Sequence, residues 1–453
     1  MSAAAAPPLS RADYFDPAPF ARRRAELFSR MGGSGVALIP NARERLRNAS
    51  NPYPFRSDSF FYYLTGFSET QSALVLANGR ALLFCRARDE REIWEGYRFH
   101  TENARARFAV EEARPIAELE SALTELLAGQ TDFWYAQGME EYWDQLALRA
   151  LKTARAAEQE KRGAPTALRD WREPLSAMRL RKDAHEVSLM RQAADIASAG
   201  HARALRACRP GMTEYALEAE ISHEFRRRGA DGHAYNPIVA GGVHACTLHY
   251  THNDAPLRAG SLVLIDAGCE YRGYAADITR TFPVGGRFSA AQKICYEIVL
   301  AAQEAALAEI RPGSSLDLCH AAAVRVLTQG MKDLGLLSGD VDGLIERGAY
   351  QPYYMHRTGH WLGLDVHDAG AARRVNADGQ EVWTAFAPGM TLTCEPGLYI
   401  PANHTTRELA GMGIRVEDDA LVTPGGCEVY TAAPKSVADI EETMRQAAEL
   451  DLS

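Results

Sequence analysis

The sequence predicts two domains: an α/β N-terminal domain of residues 1–174 and an α+β C-terminal domain of residues 175–453 with an internal pseudo-twofold duplication. Three observations lead there. At 453 residues the chain exceeds what one hydrophobic core usually serves. Up to about residue 172, helical patterns alternate with apolar runs at 35–40, 73–76 and 81–84, the rhythm of an α/β domain. The remainder repeats itself. An amphipathic helical pattern over 183–207 leads into Arg209-Pro210-Gly211-Met212-Thr213 and another helix, and 289–309 leads likewise into Arg311-Pro312-Gly313-Ser314-Ser315 and another. In each copy Pro-Gly stops one helix, and Thr213 or Ser315 stands where it can N-cap the next. Two copies suggest two similar halves, whereas a solenoid needs at least three. The boundary falls between 170 and 178, after the charged, loop-like stretch 159–165 and around Trp171-Arg172-Glu173-Pro174, just before the long helical pattern that opens near Lys182.

Composition narrows the function classes. With 46% hydrophobic and 24% charged residues the chain is ordinary soluble globular material, and a net charge of -9 gives no electrostatic reason for a nucleic-acid partner. The basic clusters at 22–24 and 226–228 read as solvated helix faces. Residues 1–8 lack a basic segment followed by an apolar core, and no run is long and apolar enough to cross a bilayer, so neither a signal peptide nor a membrane partner is expected. Eight cysteines without CxxC spacing describe neither a disulfide framework nor a zinc knuckle, and a reducing cytoplasm fits them best.

Chemistry concentrates in the strand-rich sequence after each helix pair. Leu262-Val263-Leu264-Ile265 ends in Asp266, and a second β-prone run, 274–282, contains Asp277. A hairpin turning about the Tyr271-Arg272 bond sets position 266 directly opposite 277 on one sheet face. Like charges so placed, with Cβ atoms about 5 Å apart, repel, and a bound cation would turn that repulsion into a site. Each aspartate alone reads as an exposed strand end.

Further along, His356, His360 and His367 fall in a stretch broken by Gly359 and Gly363, which argues against a zinc-protease helix, and no His-Glu-x-x-His is present. Glu395 ends the run 390–394 just before Pro396-Gly397, a strand end where the backbone turns. Arg415 and Glu417 share one strand face and Ile414 and Val416 the other; alone, Glu417 beside Arg415 reads as an ion pair. Taken together, Asp266, Asp277, His360, Glu395 and Glu417 form an oxygen-rich ligand set between the two halves. Two divalent ions balance its four negative charges where one would not, and a metal pair activating a shared water makes hydrolysis the natural reaction. Hard carboxylates favour manganese or magnesium, the imidazole adds affinity for zinc, cobalt or iron, and we favour manganese.

The motifs Ile265-Asp266-Ala267-Gly268-Cys269, 277–283, 360–368, 395–400 and 413–418, in that order, resemble the pita-bread metallopeptidases, and more narrowly the aminopeptidase P group; 56–67 resembles that group's N-terminal domain. The resemblance covers nearly the whole chain. It implies a pita-bread catalytic domain behind an aminopeptidase P-like α/β domain, and a metal-dependent enzyme that removes an N-terminal residue preceding proline by attack of a metal-bridging hydroxide. It further implies that Asp277 and Glu417 bridge the metals, that Glu395 is also the base, that His249 and His367 position the substrate, and that His356 lines a proline pocket. Tyr235, Arg415 and Trp94 complete the expected substrate-binding set. Trp94 corresponds to an aromatic residue that reaches a neighbour's active site in tetrameric members, so a homotetramer or dimer is expected; a buried core tryptophan is the other reading. A prolidase confined to Xaa-Pro dipeptides, and a pita-bread protein that binds without catalysis, are the alternatives.

Overall fold

The structure, a computed structural model, describes residues 15–450 except 89, 91, 96, 97, 100 and 157–162. The N-terminal stretch 1–8 and most of the charged stretch 159–165 lie outside the described residues. The chain forms two compact units, Met1–Ser176 and Ala177–Ser453.

In the N-terminal unit the strand Val36–Pro40 is apolar and buried along its whole length, as a strand covered on both faces must be. It lies inside a six-stranded sheet ordered Glu112–Pro115, Arg80–Cys85, Ala73–Ala77, Val36–Pro40, Asp132–Trp134, Ala167–Arg169. The Ala73–Ala77 strand is antiparallel to both of its neighbours and the outer pairings are parallel. Helices Leu119–Leu127 and Glu141–Ala156 turn Leu119, Leu123, Trp143 and Ala147 onto it. The basic cluster at 22–24 is a solvated face only at Arg22, which is exposed. Arg23 and Arg24 are buried, because the carbonyls of Tyr63, Leu64, Phe108 and Ala109 take their guanidinium protons. Arg227 and Arg228, by contrast, are exposed and pair with Glu224.

The second unit holds both helix pairs, Ala184–Ala207 with Glu214–Arg227 and Ala290–Ala308 with Leu316–Asp333. The first helix of each pair opens with a capping box, Asp183 with Glu186 and Ser289 with Gln292. Thr213 and Ser315 occupy N-cap positions, yet neither hydroxyl caps its helix; that of Ser315 turns to Asp317. Small buried residues, Ala193, Ala197, Ala302 and Ala306 among them, let the helices lie close over one continuous core shared with the strands. Those strands include an antiparallel sheet of Ile238–Gly241, Leu262–Asp266 and Thr279–Pro283, and a second of Thr391–Cys394, Asp418–Thr423 and Gly426–Val429.

The hairpin behind Asp266 and Asp277 turns one residue later than expected. Arg272 and Gly273 both have positive φ, 50° and 83°, and Tyr271 pairs with Tyr274. This is the primed turn whose twist matches that of the flanking strands. Asp266 is therefore opposite Thr279, and Asp277 lies diagonal to Asp266 on the same face. The strands close in where Asp277 sits, because a Cβ on Gly268 would lie 1.7 Å from the carbonyl oxygen of Ala276. One cation fastens the two sheets together. Arg280, fully buried, spends its guanidinium on the Asp418 carboxylate and on the carbonyls of Thr279, Glu417, Ala433 and Pro434.

Gly268→Ala must push a backbone carbonyl aside, so it is expected to lower unfolding free energy by about 2 kcal/mol or more. A urea midpoint equal to that of the parent protein would contradict the register.

Candidate metal centre

The candidate residues arrive from four directions. Asp266 ends the strand Leu262–Asp266, and Asp277 precedes Thr279–Pro283. Residues 358–362 run antiparallel to 391–395: the amide of Thr393 donates to the His360 carbonyl, that of Glu395 to Thr358 and that of Leu362 to Thr391. This ladder sets Thr393 opposite His360 and brings Glu395 diagonal to it on the same face. Gly359 is required there, since a Cβ would lie 2.1 Å from the carbonyl oxygen of Thr393. Glu417 is held by its amide, which donates to the Thr279 carbonyl at 3.0 Å.

Every candidate of this unit lines one cleft of about 810 Å³: Tyr235, His249, Asp266, Asp277, His356, His360, His367, Glu395, Arg415 and Glu417. Ligand atoms of Asp277, His360 and Glu417 all lie within 4.8 Å of one another. His360 Nε2 is 3.5 Å from Asp277 Oδ2 and 3.7 Å from Glu395 Oε1, too far for hydrogen bonds. Donors sharing a cation at about 2.1 Å each stand about 3 to 4 Å apart, so these spacings fit a bound ion. The imidazole is oriented for it. Its Nδ1 donates to the Trp361 carbonyl at 3.0 Å, which turns Nε2 toward the carboxylates.

The neighbours of these carboxylates differ from the sequence reading. Arg415 does not pair with Glu417; it donates to Asp266 Oδ2 at 2.5 Å, to the Tyr399 hydroxyl and to Thr279 Oγ1. Glu417 instead accepts from the Thr279 hydroxyl at 2.6 Å. The Tyr235 phenol lies 2.6 Å from Asp266 Oδ1 and 2.5 Å from Asp277 Oδ1, so it is engaged with the cluster. Tyr399 joins Arg415 to His356, whose Nε2 accepts from the Tyr399 hydroxyl at 2.8 Å while its Nδ1 donates to the Arg357 carbonyl. His367 packs edge-on against His360 with ring centroids 4.2 Å apart, and His249 is an exposed part of the lining. Trp94 is 87% exposed on the short helix Glu92–Glu95 of the N-terminal unit, which rules out the buried-core reading. Sequence reasoning missed Thr279, Tyr399 and Asp419. The first two alternate with residues already noted, and period two would have put Thr279 on the face of Asp277. The same alternation would have put Asp419, which accepts from the Asp277 amide, on the face of Glu417.

Burial dominates the electrostatics. It raises Asp266 against the pull of Arg415, raises Glu395 to about 7, and raises Glu417 and Asp419 well above the carboxylate range, with neighbouring acids adding to the last two. Burial opposes a charge on His360, yet Asp277 and Glu395 outweigh it and lift the imidazole to about 9. Burial holds His356 down at about 3, so it is neutral.

The comparisons with known proteins agree over nearly the whole chain. Residues 188–424 match the model of metallopeptidase family M24, and residues 20–135 match the aminopeptidase P N-terminal domain. The Xaa-Pro aminopeptidase of Escherichia coli K12 is 44% identical, over 94% of this chain and 97% of its own. The solved structure of Pseudomonas aeruginosa aminopeptidase PepP superposes with a TM-score of 0.93 at 43% identity, covering 96% of this chain and 99% of that one. A zinc-substituted E. coli aminopeptidase P in complex with product gives 0.91 at 42%, with the same coverage.

Without metal, the cluster sets a pH dependence. A raised acid favours folding below its unfolded pKa and loses that contribution as pH climbs toward its folded value; raised His360 loses its own between 6.5 and about 9. The lowered histidines His201, His233, His320, His356 and His367 act in the opposite sense, but only below 6.5. The chelated protein is therefore expected to melt at a lower temperature at pH 9 than at pH 7, and saturating divalent metal to remove that difference. Scanning calorimetry at both pH values tests it; a chelated protein that melts higher at pH 9 would contradict the assignment of these shifts. With its N-terminal and catalytic domains both matched, the chain belongs to the aminopeptidase P group of metallopeptidase family M24.

Proposed function

We propose that the protein is a metal-dependent aminopeptidase that hydrolyses the bond between an N-terminal residue and a penultimate proline. The observation that carries this reading is the single cleft in which four carboxylates and His360 meet three further histidines. Asp266, Asp277, His360, Glu395 and Glu417 would hold two divalent cations, manganese favoured by the oxygen-rich set. When bound, the cations would offset the carboxylate charge, acidify a water and polarise the scissile carbonyl.

The chain's own residues do the rest. Glu395 takes the proton of the attacking water. Its carboxylate has no hydrogen-bond partner among the described residues, standing 3.7 Å from His360 Nε2 and 3.8 Å from His356 Nδ1, so its oxygens are open to a water. His367 and His249 lie in the cleft lining, where they can donate to the oxygen of the tetrahedral intermediate. His356, neutral and held by Tyr399, offers a ring face to proline. That matters because a bond preceding proline has no N–H for a protease to register, leaving ring shape and carbonyl as the readable features. Tyr235 and Arg415 keep the carboxylates apart and oriented. Trp94, exposed beside Ile93, is available to a neighbouring copy, and the homo-oligomer belongs to this same reading. So does a reducing cytoplasm, which suits eight cysteines that are all free thiols.

Tripeptides Xaa-Pro-Yaa are expected to be cleaved after Xaa faster than the dipeptide Xaa-Pro; turnover of the dipeptide alone would make the protein a prolidase. Glu395→Gln is expected to lower kcat by about 100-fold to 10,000-fold. Asp277→Ala should abolish turnover and reduce the metal content found by elemental analysis. Unchanged turnover in either variant would overturn the roles.

A further inference from the structure

The cleft has two arginines in its lining, and they differ in what they are bound to. Arg415 is buried and committed to Asp266, Tyr399 and Thr279. Arg357 is exposed and makes no ion pair with an acid among the described residues; its guanidinium lies over the Trp383 ring, 5.0 Å from the centroid. Trp383 ends the second strand of the hairpin Arg373–Val375 and Glu381–Trp383, and Arg373 covers it too at 4.4 Å. Arg357 also lines a second cavity of about 210 Å³, apolar through Leu316, Trp361, Ala372 and Trp383, which shares Gly359, His360 and His367 with the main cleft. Both backbone neighbours of Arg357 are tied to the reaction centre. The His356 ring lies 3.8 Å from Glu395, and the Thr358 carbonyl accepts the Glu395 amide at 2.8 Å.

We propose that Arg357 is a specificity-determining residue that reads a carboxylate on the residue following proline. This rests on the function proposed above: with proline against His356, Arg357 is the adjoining residue and lines the same cleft. A guanidinium over an indole still has N–H groups to offer a ligand, and two parallel N–H groups match a carboxylate. The carboxylate can be the C-terminus of a short peptide or an acidic side chain, and the neighbouring cavity has room for an apolar side chain of the same residue.

The test compares kcat/KM for Ala-Pro-Ala against its C-terminal amide, and for Ala-Pro-Asp amide against Ala-Pro-Asn amide, in parent protein and Arg357→Ala. The parent is expected to favour the carboxylate member of at least one pair by about fivefold, through KM, and the pair that shows it identifies the source. In Arg357→Ala that ratio falls to about one, and Arg357→Lys restores part of it. Parent ratios near one in both pairs, or ratios that Arg357→Ala leaves unchanged, overturn the proposal. Should none of the four peptides be cleaved, the function proposed above fails. Calorimetric titration of the metal-loaded protein with Pro-Ala and with its amide then still decides for Arg357: an affinity ratio that the substitution abolishes supports it, and no ratio or no binding overturns it.

Discussion

Four carboxylates share one largely buried wall, and their mutual repulsion is the constraint around which the catalytic unit is built. Two unit charges 4 Å apart at an effective dielectric of about 20 interact by about 4 kcal/mol, so each further acid in the cluster costs several kcal/mol unless something positive answers it. Arg415 answers Asp266, the hydroxyl of Thr279 answers Glu417, and the Tyr235 phenol reaches both aspartates. None of these supplies enough charge for all four. The upward shifts at Asp266, Glu395 and Glu417 express the shortfall, and divalent cations are what would remove it.

The same device positions candidate ligands in both halves. In each, two antiparallel segments bring a pair of candidate ligands together on the diagonal, Asp266 with Asp277 and His360 with Glu395. In each, a threonine stands opposite one of them: Thr279 across from Asp266, and Thr393 across from His360, whose amide it receives. In each, a glycine lets the backbones approach where a Cβ would collide with a carbonyl. A diagonal spacing leaves more room between two anions than a direct cross-strand pair, and that room is where an ion fits.

How much of this could be read from the sequence follows from how local each signal is. The buried runs at 36–40, 73–77 and 262–266 were visible because an apolar run is its own evidence. The Pro-Gly stops and the helices they separate were visible for the same reason. The hairpin register was misplaced because apolar alternation fixes which face a residue occupies but not which residue it meets. The two-residue error preserved the face, so the site survived it. The turn itself held the missing information: a primed turn needs positive φ at both central positions, and Gly273 marks the second of them. Arg415 was assigned to Glu417 by proximity in sequence, whereas its partner, Asp266, is 149 residues away. Arg23 and Arg24 were misjudged likewise, since nothing local shows that carbonyls some 40 and 85 residues distant will take their protons.

Glu417 is fixed to Thr279 across 138 residues, and Arg280 reaches past it to Ala433, 153 residues on. During synthesis, then, Asp266 and Asp277 leave the ribosome well over a hundred residues before the acid that completes their site. Contacts this distant in sequence form late, because the loop between them must close first. A nascent chain would carry two partly assembled aspartates with nothing to share an ion with, and its affinity for cations would rise only when the last strands dock. Metal occupancy of the proposed site would thus be a record of completed folding, written by the C-terminal strands.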